Sequence, residues 1–363
     1  MDIIITAPSL DPLKNVSGVS SVVKFIIDNN KKHHYIHFEL GKKDGDHFRI
    51  FRIVPLLRNF VQWRSLLDRN PESVVHYSFP LSVASLYRDP VFMWVARRRK
   101  MKMVVHVHGG LYLTAPRIPR LHQWILKKVF AMPVPFISLS DKEAEMICDK
   151  FGAKNVTALP NCVDLEDAAN FQRTENDGVL SIGYLGRIAE TKGMRHLLDA
   201  CIRMKNEGMT YTLEMAGREE RDGEFLPQFK NELGERFHYR GVVSGESKAE
   251  FMRKIDVLAF PSYFEGLPMS LLECMSYGVV PVTTPVGSIP QYVRNDENGL
   301  FVQIKDSASI VSQIKRLNED RAFLYRLGLT ARQTIFQQFS VESYIERLNA
   351  LYQTTVEGGG VLQ

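Results

Sequence analysis

The sequence predicts an α/β protein with two parallel sheets, each flanked by helices. Short apolar, strand-like runs alternate with helical patterns along the whole chain, and 363 residues suffice for two domains of ordinary size. A polar stretch without clear periodicity, 164–178, separates two such series and serves as the expected linker.

Strands are predicted at 2–7, 35–40, 48–54, 74–78, 103–108, 135–139 and 156–159, and in the second series at 180–185, 212–216, 237–241, 257–260, 280–283 and 299–302. A helix is read over 20–29, after the first strand and its loop. Two Rossmann-like domains follow, 1–165 and 178–335. Ligands of such sheets bind at the carboxyl ends of strands, so facing domains place a site in the cleft between them. A last helix, 340–353, has Val341, Tyr344, Ile345, Leu348, Leu351 and Tyr352 at helical spacing. Residues 357–363 look like a flexible Gly-rich tail ending as a protease-cleavage remnant does, and are set outside the fold.

With 45% hydrophobic and 24% charged residues the chain has the composition of a folded, water-soluble protein. Cys148, Cys162, Cys201 and Cys274 form no CxxC pair, which points to neither zinc nor a disulfide framework and fits a reducing cytoplasm. No apolar run approaches the roughly eighteen residues that span a bilayer, and the first residues lack the basic start of a secretory signal. Residues 1–164 hold 24 Lys+Arg against 14 Asp+Glu, or +10; subtraction from 46 and 41 leaves 22 against 27, or −5, for the rest.

The basic half suits nucleic acid, anionic lipid or a phosphate-bearing substrate. Arg97-Arg98-Arg99-Lys100-x-Lys102 behind the apolar run 91–96, and the aromatic-lysine mixture of 124–130, resemble interfacial surfaces; solvated helix faces are the alternative. These runs contain no recognisable RNA or DNA module, so no nucleic-acid partner is expected.

The most informative segment is 260–277, Phe-Pro-Ser-Tyr-Phe-Glu-Gly-Leu-Pro-Met-Ser-Leu-Leu-Glu-Cys-Met-Ser-Tyr. It reads as a strand end, a loop over 261–266, and a helix with Pro268 in its first turn and Gly278 as its stop. A helix entered from a strand through such a loop offers unpaired N–H groups and a positive dipole end, which suit a diphosphate. Leu271, Leu272, Cys274 and Met275 fall on one apolar arc, with Glu273 directed away from it near Ser276 and Tyr277. Taken singly, Glu265 and Glu273 read equally well as solvated acids.

Together, glutamate, seven residues and glutamate within Phe-Glu-Gly-Leu-Pro-x-Ser-Leu-Leu-Glu resemble the donor site of the retaining GT-B glycosyltransferases of family 4, glycosyl transferases group 1. The resemblance implies a GT-B fold: two Rossmann-like domains facing across a cleft, the C-terminal helix returning to the first. It assigns Glu265 to hydroxyls of the donor sugar and Glu273 to the ribose, with Gly266, Leu267 and Met269 also in the nucleotide-sugar site. Carboxylates suit both roles because each accepts two hydroxyl hydrogen bonds in fixed geometry.

Gly183-Tyr184-Leu185-Gly186-Arg187 followed by Glu190-Thr191-Lys192-Gly193 is similar to the family's diphosphate clamp. Arg187 supplies a planar fork and Lys192 a compact charge for the phosphate charge that grows as the glycosidic bond breaks. His106-Val107-His108-Gly109-Gly110 ends a strand with both histidines on one face. The family has a histidine there beside the donor sugar; His108 is the first choice and His106 the fallback. In Asn15-Val16-Ser17-Gly18, Gly18 would let the backbone approach phosphate or acceptor, with an ordinary helix N-cap as the alternative. The family has two adjacent glycines there, where this chain has Ser17-Gly18.

Ser138-Leu139-Ser140 resembles the family's strand-to-helix serine, and Pro160-Asn161-Cys162-Val163-Asp164 its interdomain turn, with Cys162 where glycine is usual. Ala216-Gly217-Arg218 and Gly241-Val242-Val243 resemble less specific borders of the donor and base sites.

The expectation is therefore a retaining, metal-independent hexosyltransferase-like enzyme, cytoplasmic or peripheral at the inner face of the membrane. It would move a sugar from a nucleoside-diphosphate sugar, UDP favoured slightly over GDP, to a glycan or lipid-linked acceptor in polysaccharide or glycoconjugate assembly. His108, Arg187, Lys192 and Glu265 would serve catalysis, and no cofactor is expected besides the donor substrate. Three rivals stand beside it: a GT-B-like binding module without turnover, a nucleotide-sugar epimerase, and a metal-dependent GT-A enzyme using Asp44-Gly45-Asp46. That last triplet reads better as a hairpin turn.

Overall fold

The computed structural model describes all residues but 16, 42–52, 116, 176–177, 222 and 359–363. Along the chain come β1 (Asp2–Ala7), α1 (Gly18–Asn29), β2 (His34–Glu39), α2 (Ile53–Arg69), β3 (Val74–Leu81), α3 (Val83–Arg98), β4 (Lys102–Gly110), α4 (Leu111–Thr114), α5 (Arg120–Phe130), β5 (Phe136–Ser138), α6 (Asp141–Phe151) and β6 (Val156–Ala158). Then follow α7 (Glu166–Ala169), β7 (Leu180–Leu185), α8 (Met194–Asn206), β8 (Tyr211–Ala216), α9 (Leu226–Leu233), β9 (Phe237–Tyr239), α10 (Glu246–Lys254), β10 (Val257–Phe260), α11 (Met269–Ser276), β11 (Val280–Thr283), α12 (Ile289–Tyr292), β12 (Leu300–Phe301), α13 (Ser307–Glu319), α14 (Arg321–Gln338) and α15 (Val341–Glu357).

These elements build two units, Met1–Asn161 with Val341–Gln363, and Cys162–Ser340. The first holds a sheet ordered β2-β1-β3-β4-β5-β6, the second a sheet ordered β12-β11-β10-β7-β8-β9, and the strand pairs in both are parallel. Helices alternate with strands because a parallel neighbour is reached only by a crossover. Ile3, Ile4 and Ile5 are all fully buried, as are Val257, Leu258 and Ala259, since helices cover both sheet faces.

Strands 2–7, 180–185, 257–260 and 280–283 have their expected bounds, while β3 and β4 run on to Leu81 and Gly110. The strand expected at 48–54 is not formed as written: 48–52 lie outside the described residues, as does the Asp44-Gly45-Asp46 turn, and Ile53 and Val54 open α2. Pro55 is tolerated in a first helical turn, and half-buried Phe60 and Leu66 with buried Trp63 and Leu67 recur at helical spacing, which decides for helix. Helix α1 begins two residues before the expected start because Ser17 caps it, accepting from Ser20 N at 3.2 Å. Pro268 stands one residue ahead of α11, at φ −69° and ψ 125°, rather than within its first turn.

The described part of the stretch 164–178 is tied into the second unit through Arg173. Arg173 donates to the carbonyls of Tyr277 and Met252, both at 3.0 Å, and pairs with Asp256 at 3.4 Å. Helix α15 docks on the first unit: Tyr352 is fully buried, Asn30 Nδ2 donates to Asn349 Oδ1 at 2.7 Å, and Arg347 reaches the Ala158 carbonyl at 2.5 Å. Of the expected tail, Glu357 belongs to α15 and 359–363 lie outside the described residues. Among the described residues no helix is long and apolar enough to cross a membrane.

Candidate active site

In the second sheet the chain runs from β7 outward through β8 and β9, then returns to place β10, β11 and β12 on the other side of β7. The carboxyl ends of β7 and β10 thus flank a topological switch point, where open α/β sheets bind ligands. The loops after these two strands carry Arg187, Lys192 and Glu265.

After β7, a 3-10 turn over Glu190–Lys192 ends at Gly193, whose φ of 77° is left-handed. A Cβ there would lie 2.2 Å from the Pro261 carbonyl oxygen, so only glycine lets this loop press against the one after β10. The contact is sealed by Tyr263 N donating to Thr191 O at 3.0 Å and Tyr263 Oη donating to Glu190 Oε1 at 2.9 Å. Across it Lys192 Nζ donates to Glu265 Oε1 at 2.5 Å, with side-chain exposures of 22% and 11%. Arg187 is half-buried, and its carbonyl accepts from Tyr184 Oη at 2.5 Å. Burial drives the Tyr184 phenol far above its usual range; Glu265 adds to that and Arg187 opposes it, so both charges act on one buried hydroxyl.

The backbone of Glu265 and Gly266 is held from the far side. Gly287, at φ 57°, packs where a Cβ would come 2.1 Å from Glu265 O, and Ser288 N donates to Gly266 O at 3.0 Å. Leu267 and Met269 are buried, so toward a ligand they present backbone rather than side chain. Pro268 carries no polar side-chain group to cap the first turn of α11.

Glu273 lies in the second turn of α11, half-buried, with Oε2 2.5 Å from Nζ of Lys248 on α10. Ser276 and Tyr277, expected to share its polar side, are themselves buried. Sequence reasoning missed Lys248 because nothing in a helix 25 residues upstream announces which carboxylate it meets.

The rim continues through Gly186 N to Ala216 O at 3.0 Å, Ile188 N to Arg218 O at 2.9 Å and Gly217 N to Gly241 O at 2.7 Å. The turns Ala216-Gly217-Arg218 and Gly241 therefore brace the Arg187 loop. Arg187, Lys192 and the carboxylate of Glu265 on these adjoining loops suit a ligand that is both anionic and rich in hydroxyls, and the Lys248–Glu273 pair adds a second carboxylate on α11.

The first unit holds His106 and His108 on one face of β4, rings stacked at 4.2 Å. His106 is fully buried, its Nδ1 3.2 Å from His76 Nε2, and His76 Nδ1 lies 2.6 Å from Tyr352 Oη of α15. His108 is half-buried, with Nε2 buried and lacking a hydrogen-bond partner among the described residues. Burial holds all three imidazoles neutral: His76 and His108 fall to about 3 and His106 well below its usual range, with repulsion from His108 adding at His76 and repulsion from both His108 and His76 adding at His106. A neutral imidazole at His108 offers one donor or one acceptor, according to tautomer. Gly18, the first residue of α1, has no left-handed φ and open space around its Cβ direction, so the Ser17 N-cap accounts for this loop as it stands.

Ser140 caps α6 and accepts from Glu143 N at 3.2 Å, while Ser138 Oγ donates to Ser140 O at 3.1 Å. Cys162 needs no glycine-like backbone; it is buried, its Sγ 3.5 Å from Phe339 O. Among the described residues no three His, Cys, Asp or Glu side chains gather as a metal set would.

Residues 180–320 match the family described as Glycosyl transferases group 1. The chain is 24% identical over 196 residues to an uncharacterized glycosyltransferase, MJ1607, of Methanocaldococcus jannaschii, covering 53% of this chain and 50% of that protein. It spans about half to two thirds of the length of the curated relatives it matches first. Among solved structures it resembles sucrose-phosphate synthase from Thermosynechococcus elongatus, with TM-score 0.81, 16% identity and coverage of 99% and 100% of the two chains. It also resembles HepE of Anabaena in complex with UDP-glucose, with TM-score 0.74, 16% identity and coverage of 98% and 100%. The fold is GT-B.

Proposed function

We propose that this chain is a glycosyltransferase that transfers a sugar from a nucleoside-diphosphate sugar to a hydroxyl of a glycan or lipid-linked acceptor in glycan assembly. The observation that carries this reading is the Lys192–Glu265 pair at the carboxyl ends of β7 and β10. Lysine has three donors and a carboxylate about four lone-pair sites, so the pair keeps capacity for phosphate on one side and sugar hydroxyls on the other.

In this reading Arg187, Lys192 and the N–H groups of the first turn of α11 hold the diphosphate, Glu265 the sugar and Glu273 the ribose. Breaking the glycosidic bond builds negative charge on the departing phosphate, and fixed cations that meet this charge lower the barrier. The resemblance favours retention, with the departing phosphate taking the acceptor's proton, so no protein nucleophile or metal is assigned. His108 contributes a neutral hydrogen bond to a sugar hydroxyl. UDP is favoured over GDP because HepE, a structural neighbour, is described with UDP-glucose.

The test is a panel of UDP- and GDP-sugars scored for thermal stabilisation and slow hydrolysis, with and without excess chelator. Turnover with a UDP-sugar that survives chelation is expected, and anomeric proton NMR of a transfer product reads retention. Stabilisation without hydrolysis or transfer, unchanged by Lys192→Ala and Glu265→Ala, would reduce the protein to a binding module.

A further inference from the structure

The first unit carries an apolar surface that the donor chemistry does not use. Helix α3 is apolar on two opposite sides. Leu86, Phe92, Met93 and Ala96 face the core, yet Val83, Tyr87, Val91 and Trp94, spaced four, four and three residues apart, are 48%, 52%, 47% and 54% exposed. Such a helix belongs in a core or against a second apolar phase. Beside it α5 leaves Leu121 and Trp124 55% and 59% exposed. The two helices are fastened at this surface, since His122 of α5 takes Tyr87 Oη at 2.7 Å on one ring nitrogen and Tyr112 Oη at 2.9 Å on the other.

Cations frame the patch. Arg97, Arg98 and Lys100 at the end of α3, and Arg117, Arg120, Lys127 and Lys128 around α5, are exposed, and the Arg98 guanidinium lies 4.7 Å from the Trp94 ring centroid. Arg120 opens α5, whose first turn has no acid, a placement that opposes the helix dipole. Between Ser82 and Phe130 the sequence has one acid, Asp89, and it is buried 2.5 Å from Arg88. Indole and aliphatic tips amid cations, with no exposed acid in that stretch, complement an anionic lipid surface: rings settle at headgroup level and cations meet phosphates.

We propose that the α3/α5 face docks the first unit on an anionic lipid bilayer. This is independent of the donor chemistry. Of the three tryptophans, Trp63 is fully buried with Nε1 bonded to Phe92 O at 3.0 Å, so Trp94 and Trp124 supply the response to lipid. The experiment mixes the full chain with phosphatidylcholine vesicles with or without about 30% phosphatidylglycerol, and records flotation, tryptophan emission and quenching by brominated acyl chains, with nucleotide-sugar hydrolysis measured on the same samples.

Flotation on anionic vesicles only, a blue shift with quenching, and release in roughly 0.5 M NaCl are expected. Trp94→Ala/Trp124→Ala and Arg97→Glu/Arg98→Glu should each weaken binding by about tenfold or more while leaving melting temperature and hydrolysis near the parent values. Absence of flotation, binding unchanged by both double variants, or a self-association in sedimentation that the tryptophan variant abolishes without any vesicle binding would overturn the proposal. Lost hydrolysis with retained flotation would instead strike the donor reading.

Discussion

Lys192 Nζ and Glu265 Oε1 stand 2.5 Å apart although 73 residues separate them. Neither loop reaches this point alone; the pair exists because β7 and β10 are neighbours and Gly193 lets their loops touch. The charge proposed to meet phosphate and the acceptor proposed to meet sugar therefore hold each other in place in the absence of a ligand.

Removing either member should cost about 10²–10³ in kcat/KM with a UDP-sugar. Because the two act as one unit, Lys192→Ala/Glu265→Ala should lose little more than the worse single variant. A steady-state double-mutant cycle reads this directly, and additive losses would separate the two roles.

Glu273 and Lys248 predict a different signature. Under the proposed ribose role, whose contacts would be the same in ground and transition states, Glu273→Gln should raise KM and the nucleotide Kd roughly tenfold with kcat little changed. Lys248→Ala should follow in the same direction by leaving Glu273 without its partner. Calorimetric titration with the free nucleotide, beside kinetics, checks both.

Gly193→Ala and Gly287→Ala should each destabilise the second unit by about 1–3 kcal/mol, since each adds a Cβ against a backbone oxygen at a left-handed φ. Gly193→Ala should also lower kcat/KM, because Lys192 is the preceding residue. Denaturant melts and kinetics on the same preparations provide the measurement; parent-like values in both would refute the role given to that loop contact.

The buried histidines set an acid limit. The folded state holds His76 to about 3 against 6.5 in the unfolded chain, so between those values the unfolded chain binds the extra proton. The stabilisation is fully present above about pH 6.5 and is lost as pH falls toward 3, by about 1.4 kcal/mol per pH unit from His76, with His106 and His108 acting in the same direction. Tyr352→Phe leaves His76 Nδ1 buried and unpaired, at about 1–3 kcal/mol. Urea midpoints from pH 4.5 to 7.5 should rise for the parent and lie below it throughout for the variant.

Much of the architecture was legible because it rests on local pattern: Ile3 to Ile5 and Val257 to Phe260 announce buried strands, and Val341 to Tyr352 announces an apolar helical face. Pro55 and the spacing of Phe60, Trp63 and Leu67 were equally present, but an apolar run beside them favoured strand. The site was legible as far as spacing reaches. Lys192 and Glu265 were read as separate motifs, and their contact appeared only with the strand order. Lys248, Tyr184 and the His76–Tyr352 hydrogen bond left no signal, because each partner lies in another element.

The first unit is completed by a helix that follows the whole second unit in the chain. During synthesis β1 to β6 emerge first, and the 179 residues of Cys162–Ser340 must follow before α15 is available, about 10–40 s at ordinary ribosome speeds. Until then His76 has no Tyr352, and Asn30 and His33 have no Asn349. The second unit can close while the first still waits with an open flank. A stop codon at 341 would leave the first unit without α15 and its Tyr352 and Asn349 contacts.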